Sequence, residues 1–243
     1  MSSPFLSIIL PAHNEEKRLP ETLDKVADFL SQQSYSSEVV VVENGSQDRT
    51  LEIARSFMGR MPYLHVLHED QSGKGRAVRR GVLEASGDYR FFCDVDFSMP
   101  VSEINRFIPP AVRQVDVTIA SREAPGAVRY NEPAMRHLAG RIFNTLVKVA
   151  ALPGLQDTQC GFKCFRAPVA EEVFRRQTMM GWSFDVEVLF IAQLRGYKII
   201  EVPIPWYYNS QSRIRMLTDS WRMTLDIIAI RRNAMRRVYD RTI

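Results

Sequence analysis

The sequence contains little cysteine and no long apolar run. Its three cysteines, Cys93, Cys160 and Cys164, are too few for a disulfide framework in 243 residues. Cys160 and Cys164 have no further cysteine or histidine close in sequence, so we expect buried apolar side chains and not metal ligands. No stretch approaches about 18 uninterrupted apolar residues, and no signal peptide precedes the first apolar run. The sequence therefore predicts a cytoplasmic protein with reduced thiols and no membrane-spanning helix.

The composition is that of a globular protein with an uneven charge distribution. Apolar residues make up 45% of the chain, which is enough for a substantial core. The net charge is +4, but the segment from Arg213 to Arg241 holds eight arginines and three aspartates and so carries +5. Such a segment can meet anionic lipid, nucleic acid or solvent. We do not expect nucleic-acid binding, because the segment lacks interleaved aromatic residues and a recognised module.

Three short apolar runs are each followed by polar residues. Residues 6–10, 39–42 and 91–93 are typical of buried strands, and helical patterns lie between them. This series predicts an α/β domain with an open, mostly parallel sheet, in which the carboxyl ends of the strands meet at one edge. The polar residues expected at that edge are Asn14, Glu15, Glu43, Asn44, Asp94 and Asp96.

Two features at this edge indicate a phosphorylated ligand. The carboxylates of Asp94 and Asp96 suit a hard cation such as Mg²⁺ or Mn²⁺, which usually completes its shell with phosphate and water. A lysine flanked by glycines, Lys74, opens a predicted helix and can approach a phosphate or a ribose. Each feature has a plainer alternative, a solvated turn for the acidic pair and an ordinary loop for the lysine.

Two amphipathic helices are predicted in the second half of the chain. Residues 135–150 place a basic polar face opposite an apolar face that includes Val149. Residues 216–230 place one broad apolar face, which includes Leu225 and Ile228, opposite a narrow polar strip. These helices either lie on an anionic membrane surface or pack on their own domain or on a second subunit.

Six motifs in a fixed order carry a family resemblance. They are Pro11-Ala12-His13-Asn14-Glu15, Glu43-Asn44-Gly45-Ser46, Gly73-Lys74-Gly75, Asp94-Val95-Asp96, the segment from Asp157 to Lys163, and the segment from Trp182 to Glu187. Together they resemble the inverting A-fold glycosyltransferases, and among these the polyprenyl-phosphate sugar transferases, above all the dolichyl-phosphate β-glucosyltransferases. The resemblance implies one GT-A (Rossmann-like) domain with helices on both faces of the sheet, spanning residues 1–210, and a basic amphipathic helical segment at 211–243.

The resemblance also implies roles for individual residues on the donor side. The nucleotide-binding set is Pro11, Asn14, Glu15, Glu43, Asn44, Lys74 and Asp94. Asp96, with Asp94, is the expected metal ligand, and the expected catalytic set is Asp96, Asp157 and Arg122. Glu43-Asn44 departs from the more common Asp-Asp, which leaves the choice of base open. The expected sugar-binding residues are Asp157, Trp182 and Asp185, of which Asp157 resembles a residue that lies near the transferred sugar in relatives.

The acceptor implied by the resemblance is a dolichyl or undecaprenyl phosphate. A phosphate monoester is already anionic at neutral pH and needs positioning by cations more than a general base. The candidates for that role are Arg129, Arg136, Ser212 and Arg213. The implied reaction moves glucose from UDP-glucose to the lipid with inversion, by a peripheral enzyme on the cytoplasmic face of the membrane. Two other functions stay open: a GDP-mannose-dependent mannosyltransferase and a non-catalytic nucleotide-sugar-binding protein. A homo-oligomer is also possible on the sequence.

Overall fold

A computed structural model describes residues 3–208 and 216–240 of the chain. Within these ranges the structure does not describe the side chains of Ala134, Arg136, Leu138, Ala139, Ile142, Phe143, Leu146 and residues 216–221. The predicted roles of Arg136, Ser212 and Arg213 therefore fall outside the described side chains.

The first half of the chain alternates strands and helices, as predicted. The elements are β1 (Leu6–Ala12), α1 (Leu19–Ser31), β2 (Ser37–Asn44), α2 (Thr50–Ser56), β3 (Leu64–Glu69), α3 (Lys74–Glu84) and β4 (Tyr89–Cys93). Pro20 lies in the first turn of α1, where a missing N–H costs no helical hydrogen bond. A short 3₁₀ helix, Val101–Arg106, follows β4.

The second half is less regular. Its elements are β5 (Val117–Ser121), β6 (Val128–Tyr130), α4 (Ala134–Ala150), β7 (Phe162–Arg166), α5 (Ala167–Arg175), α6 (Phe184–Leu194), β8 (Ile199–Pro203), β9 (Pro205–Tyr207), α7 (Met216–Met235) and a final 3₁₀ turn, Val238–Asp240. Strands β6 and β9 form a separate parallel ribbon.

The main sheet has seven strands in the order β3-β2-β1-β4-β7-β5-β8. All neighbouring pairs are parallel except those made by β7, which runs antiparallel to both β4 and β5. The mostly parallel sheet is confirmed. Because β7 starts where β4 ends, the backbone N–H of Asp94 donates to the carbonyl of Gly161 at 3.0 Å. This pairing brings the motif from Asp157 to Lys163 beside the acidic pair.

The sheet separates two apolar cores. In β2, Val39 and Val41 face the first core, whereas Val40 and Val42 face the second, so a continuous run of valine is buried on both sides. Side chains of α1 cover the first core, and those of α3, α5 and α6 cover the second. Burying one such side chain fully stabilises the fold by roughly 1.5–3 kcal/mol.

The C-terminal helix packs one narrow face on the domain. Met223, Ile227 and Ile230 are buried, but Leu225 and Ile228 are exposed, Ile228 at 61%. The single broad apolar face predicted for this helix is therefore wrong, because the apolar residues divide between a packed side and a solvent side. Val149 of α4, predicted on the apolar face, is likewise 81% exposed. Among the described residues, no helix has the length and apolar character needed to cross a membrane.

Candidate active site

A cavity of about 410 Å³ opens at the carboxyl edge of β1, β2 and β4. It brings together nine of the residues predicted from the sequence, namely Pro11, Glu15, Asn44, Lys74, Asp94, Asp96, Arg122, Trp182 and Asp185. They come from strand ends and the loops that follow them, from the start of α3, from the loop before α6 and from the first turn of α6. The cavity is large enough for a nucleotide-sized ligand and carries both signs of charge.

The acidic pair lies at the floor of this cavity with a lysine beside it. Lys74 Nζ lies 2.6 Å from Asp94 Oδ1 and 5.5 Å from the centre of the Trp182 ring. Burial would lower the pKa of Lys74, but the carboxylates of Asp94 and Asp185 outweigh it and raise that pKa. Burial and the neighbouring Asp94 raise the pKa of Asp96. Lys74 therefore neutralises Asp94 in part and leaves Asp96 as the carboxylate that most needs a further cation.

The donor set fits a divalent cation that is shared with a phosphorylated ligand. Asp94 and Asp96 both face the cavity, and a Cβ placed on Gly161 would lie 2.1 Å from Asp94 Oδ2, so only glycine leaves room for that carboxylate. Within the described part of the chain, no group of three or more histidine, cysteine or acidic side chains forms a complete metal cage. Two carboxylates at an open site, completed by phosphate and water, are the arrangement that Mg²⁺ commonly adopts.

The loop before α3 is held close to its neighbours by glycine and by Asn44. Gly73 has a φ of +149°, and a Cβ there would lie 2.6 Å from the carbonyl oxygen of Met180. The Asn44 amide nitrogen donates to the Ala12 carbonyl at 2.9 Å, and its oxygen accepts from the Gly73 N–H at 2.9 Å. Asn44 thus ties the end of β1 to the loop that carries Lys74.

Two residues predicted to bind the nucleotide support the cavity without lining it. Glu43 is buried, and its carboxylate accepts from the Ser46 N–H at 2.5 Å and lies 2.5 Å from His68 Nδ1. Asn14 is exposed and has a left-handed φ of +50°, and its side-chain oxygen accepts from the Gln47 N–H at 2.7 Å. Both shape the turn after β2, and their predicted contacts with the nucleotide stay predictions.

Arg122 and Asp157 form a buried ion pair behind the cavity. Arg122 Nε and Nη2 donate to the two oxygens of Asp157 at 2.6 and 2.9 Å, and the Arg122 N–H donates to the same carboxylate at 2.9 Å. Asp157 is 0% exposed, whereas the Arg122 side chain is 21% exposed and lines the cavity. Burial alone would raise the pKa of Asp157, but Arg122 outweighs it and lowers that pKa to about 2. Asp157 therefore orients the guanidinium that faces the ligand.

Arg129, predicted to bind the acceptor phosphate, is engaged by acidic neighbours. Its guanidinium lies 2.6 Å from Glu123 and 2.6 Å from Glu132, and it does not line the cavity. The Trp206 ring lies 5.8 Å from the Arg129 guanidinium and 5.4 Å from that of Arg122. The acceptor role of Arg129 stays a prediction that would need these carboxylates to release it.

Sequence reasoning assigned no role to several other residues of the cavity wall. Among these, from the second half of the chain, are Gln159, Cys160, Trp206 and Met223. Trp206 could have been noticed as an aromatic residue in a short strand, but nothing in the sequence places that strand beside Arg122.

Sequence reasoning also did not identify Lys163 as the ion-pair partner of Asp185. Lys163 is fully buried, and its Nζ lies 2.5 Å from Asp185 Oδ1 and 2.6 Å from the Cys160 carbonyl oxygen.

Comparison with known proteins gives a consistent picture. A family model described as "Glycosyl transferase family 2" matches residues 7–174. Dolichyl-phosphate β-glucosyltransferases of Dictyostelium discoideum and Trichomonas vaginalis are 32% and 30% identical to this chain, over 93% and 94% of its length. The alignments cover 74% and 71% of those relatives.

Solved structures share the fold at lower identity. Mannosyl-3-phosphoglycerate synthase from Rubrobacter xylanophilus has a TM-score of 0.70 at 17% identity, and the match covers 99% of this chain and 76% of that one. Glucosyl-3-phosphoglycerate synthase from Mycobacterium tuberculosis, in complex with Mn²⁺, UDP and glucosyl-3-phosphoglycerate, has a TM-score of 0.64 at 19% identity, and the match covers 93% of this chain and 78% of that one. These likenesses establish the fold of the domain.

Proposed function

The chain belongs to glycosyl transferase family 2 and has a GT-A fold, and on this premise we propose that it transfers glucose from UDP-glucose to a polyprenyl phosphate. The observation that carries the assignment is the cavity in which Asp94, Asp96, Lys74 and Arg122 meet at the carboxyl edge of the sheet. The relatives named dolichyl-phosphate β-glucosyltransferases match over more than nine-tenths of the chain, which supports glucose as the sugar and a lipid phosphate as the acceptor.

On the donor side, the charged residues divide between the nucleoside and the diphosphate. Asp96, together with Asp94, would hold Mg²⁺ or Mn²⁺, which when bound neutralises the leaving diphosphate as a Lewis acid. Lys74 and Arg122 both line the cavity and can donate to the phosphate oxygens. The rim formed by Pro11, Glu15 and Asn44 offers acceptors and an apolar edge to the nucleoside, with carboxylate oxygens able to accept from ribose hydroxyls.

On the acceptor side, a lipid phosphate oxygen attacks the anomeric carbon opposite the leaving UDP. The new bond to the phosphate oxygen forms as the bond to UDP breaks, which inverts the anomeric centre and gives a β-linked product. The phosphate is anionic before it binds, so the site needs cations that orient it and no dedicated base. We assign this orientation to Arg136, Ser212 and Arg213, and to Arg129 once its carboxylate partners move away.

We also propose that the enzyme works on the cytoplasmic face of a membrane, where its acceptor lies. The solvent side of α7 carries exposed Leu225, Ile228 and Met235, and exposed arginines lie at 231 and 232 in the helix and at 236 and 237 just after it. An apolar strip with flanking basic residues suits an anionic leaflet, each basic residue near the surface contributing about 1 kcal/mol. The three free cysteines agree with a reducing compartment.

The test is a transfer assay with the purified protein. We expect a glycolipid product from UDP-glucose, polyprenyl phosphate and Mg²⁺, little product from GDP-mannose, and none after chelation of the metal. If product forms with GDP-mannose and not with UDP-glucose, the donor is GDP-mannose and the proposed donor is wrong. If the protein binds UDP but forms no product with either donor, it is a non-catalytic nucleotide-sugar-binding protein. Flotation with anionic vesicles at low salt tests the membrane claim, and failure to float would refute it.

A further inference from the structure

Glu187 is a fully buried carboxylate that the proposed chemistry does not use. It lies in the first turn of α6 and is 0% exposed. Its oxygens accept four hydrogen bonds, from the Thr178 N–H at 2.8 Å, the Thr178 hydroxyl at 2.5 Å, the Met179 N–H at 2.7 Å and the Tyr239 hydroxyl at 2.8 Å. These hydrogen bonds compensate the Glu187 carboxylate for its loss of water, and removing one donor leaves part of its negative charge uncompensated.

The loop that Glu187 holds, residues 177–183, rests on the start of α3. The Arg76 N–H donates to the Met180 carbonyl at 3.1 Å, and the Gln177 side chain donates to the Gly75 carbonyl at 2.9 Å. A Cβ on Gly75 would lie 2.8 Å from the Met179 carbonyl oxygen, so loop and helix are in direct backbone contact. Any displacement of the loop would therefore displace the first turn of α3.

Both ends of this contact reach the cavity. Lys74 is the first residue of α3, and Trp182 belongs to the loop. Their side chains meet on the cavity wall, with Lys74 Nζ 5.5 Å from the Trp182 ring centre. The position of the loop thus sets the place of one cation and one aromatic ring in the proposed nucleotide-sugar site.

The last described turn of the chain, Val238–Asp240, contacts Glu187 through the Tyr239 hydroxyl. Tyr239 is fully buried, and its carbonyl accepts from Arg176 at 2.9 Å and from Arg195 at 3.0 Å. Burial and the Glu187 carboxylate raise the pKa of Tyr239 well above its usual range, so its hydroxyl remains a donor. Asp226 of α7 adds a second tie to the loop by accepting from the Ser183 hydroxyl at 2.6 Å.

We propose that Glu187 and Tyr239 are positioning residues, through which the C-terminal end of the chain holds the loop at 177–183, and with it Trp182 and Lys74, in place to bind the nucleotide-sugar. This rests on the proposed function for the identity of the ligand. It assigns the last described turn of the chain a part in donor binding, in addition to any contact that α7 makes with a membrane.

The central variant is Tyr239→Phe, which deletes one hydroxyl and keeps the ring packed near Phe190. Tyr35→Phe is the matched control, because the Tyr35 hydroxyl also donates to a side-chain oxygen, that of Asn105 at 2.8 Å, away from the cavity and from Tyr239. UDP affinity is measured by calorimetry well below the melting temperature of each variant. Amide hydrogen exchange of Thr178, Met179 and Arg76 is followed without ligand.

We expect Tyr239→Phe to weaken UDP binding about 3- to 10-fold and to speed exchange at these amides, with less than about twofold change in the control. Glu187→Gln should act in the same direction more strongly where it folds. Unchanged UDP affinity in Tyr239→Phe, or equal weakening in Tyr35→Phe, would overturn this inference and leave the proposed function standing. If the wild type binds neither UDP nor GDP, the proposed function fails, and unchanged exchange at Arg76 would then overturn the coupling separately.

Discussion

Replacing Asp157 by asparagine should destabilise the fold while leaving the shape of the side chain nearly unchanged. The carboxylate is fully buried and accepts three hydrogen bonds from Arg122, two of them from the guanidinium. The replacement amide keeps one acceptor oxygen but turns an NH₂ group toward a cation. Arg122 would remain largely buried without a counter-charge, which is among the more costly changes in a protein interior.

The size of the effect follows from the charge state of Asp157. Its pKa of about 2, against an ordinary value of 3.8, corresponds to about 2 kcal/mol of stabilisation of the ionised form. Removing one partner of a buried pair costs about 3–5 kcal/mol in measured cases. We therefore expect a loss of roughly 2–5 kcal/mol at pH 7, which for a domain of this size lowers the melting temperature by about 4–20 °C.

The pH dependence identifies the cause. A carboxylate whose folded-state pKa is depressed stabilises the fold above its ordinary pKa and loses that contribution as the pH falls through the folded value. Urea unfolding of both proteins should give a constant difference from pH 7 to about pH 5 and a difference about 1 kcal/mol smaller at pH 3. Glu21→Gln, which breaks an exposed pair with Lys25, is the control and should not change stability measurably. A difference below about 0.5 kcal/mol at pH 7 would refute the reasoning.

Three further predictions follow from single sites. Asp96→Asn should abolish glycolipid formation without changing the melting temperature by more than a few degrees, and near-normal turnover would remove the metal assignment. Gly75→Ala should cost about 1–3 kcal/mol in urea unfolding, because the new Cβ would lie 2.7 Å from Phe184 Cβ. The hydrogen bond with Glu43 raises the pKa of His68 above 6.5, so the stability difference between wild type and His68→Gln should be largest below pH 6.5 and shrink as the pH rises through the folded-state pKa.

The fold of the first half could be predicted from the sequence because its signals are local. The valines of β2 are apolar and β-branched without interruption, and each strand ends in polar residues where the cavity forms. The antiparallel insertion of β7 could not be predicted, because its sequence is short and contains Lys163, whose burial depends on Asp185 from another element. The small ribbon of β6 and β9 was missed for the same reason, since three-residue strands carry almost no periodicity.

In the site, the sequence predicts which residues lie near the cavity better than it predicts which side chains form ion pairs with one another. Strand order predicts that Asp94 and Asp96 lie at one edge near Lys74, since parallel strands deliver their ends there. The family resemblance adds Arg122, and all four residues line the cavity. Strand order does not reveal that Arg129, which lies in β6, is engaged by Glu123 and Glu132 on either side of that strand in the sequence. Ion-pair choice depends on side-chain distances of a few ångströms, which no spacing rule supplies.

The charged residues of the motifs fall into two groups that a sequence pattern cannot separate. Asp96 faces the ligand cavity, whereas Asp157 and Glu187 are buried behind it and hold Arg122 and the loop at 177–183 in place. Replacing each carboxylate by the amide of the same shape should distinguish the two groups by its effects on turnover and on stability. In the first group it removes charge from a solvent-accessible cavity and reduces turnover with little loss of stability. In the second group it leaves buried donors unsatisfied, so stability falls first and ligand affinity falls with it.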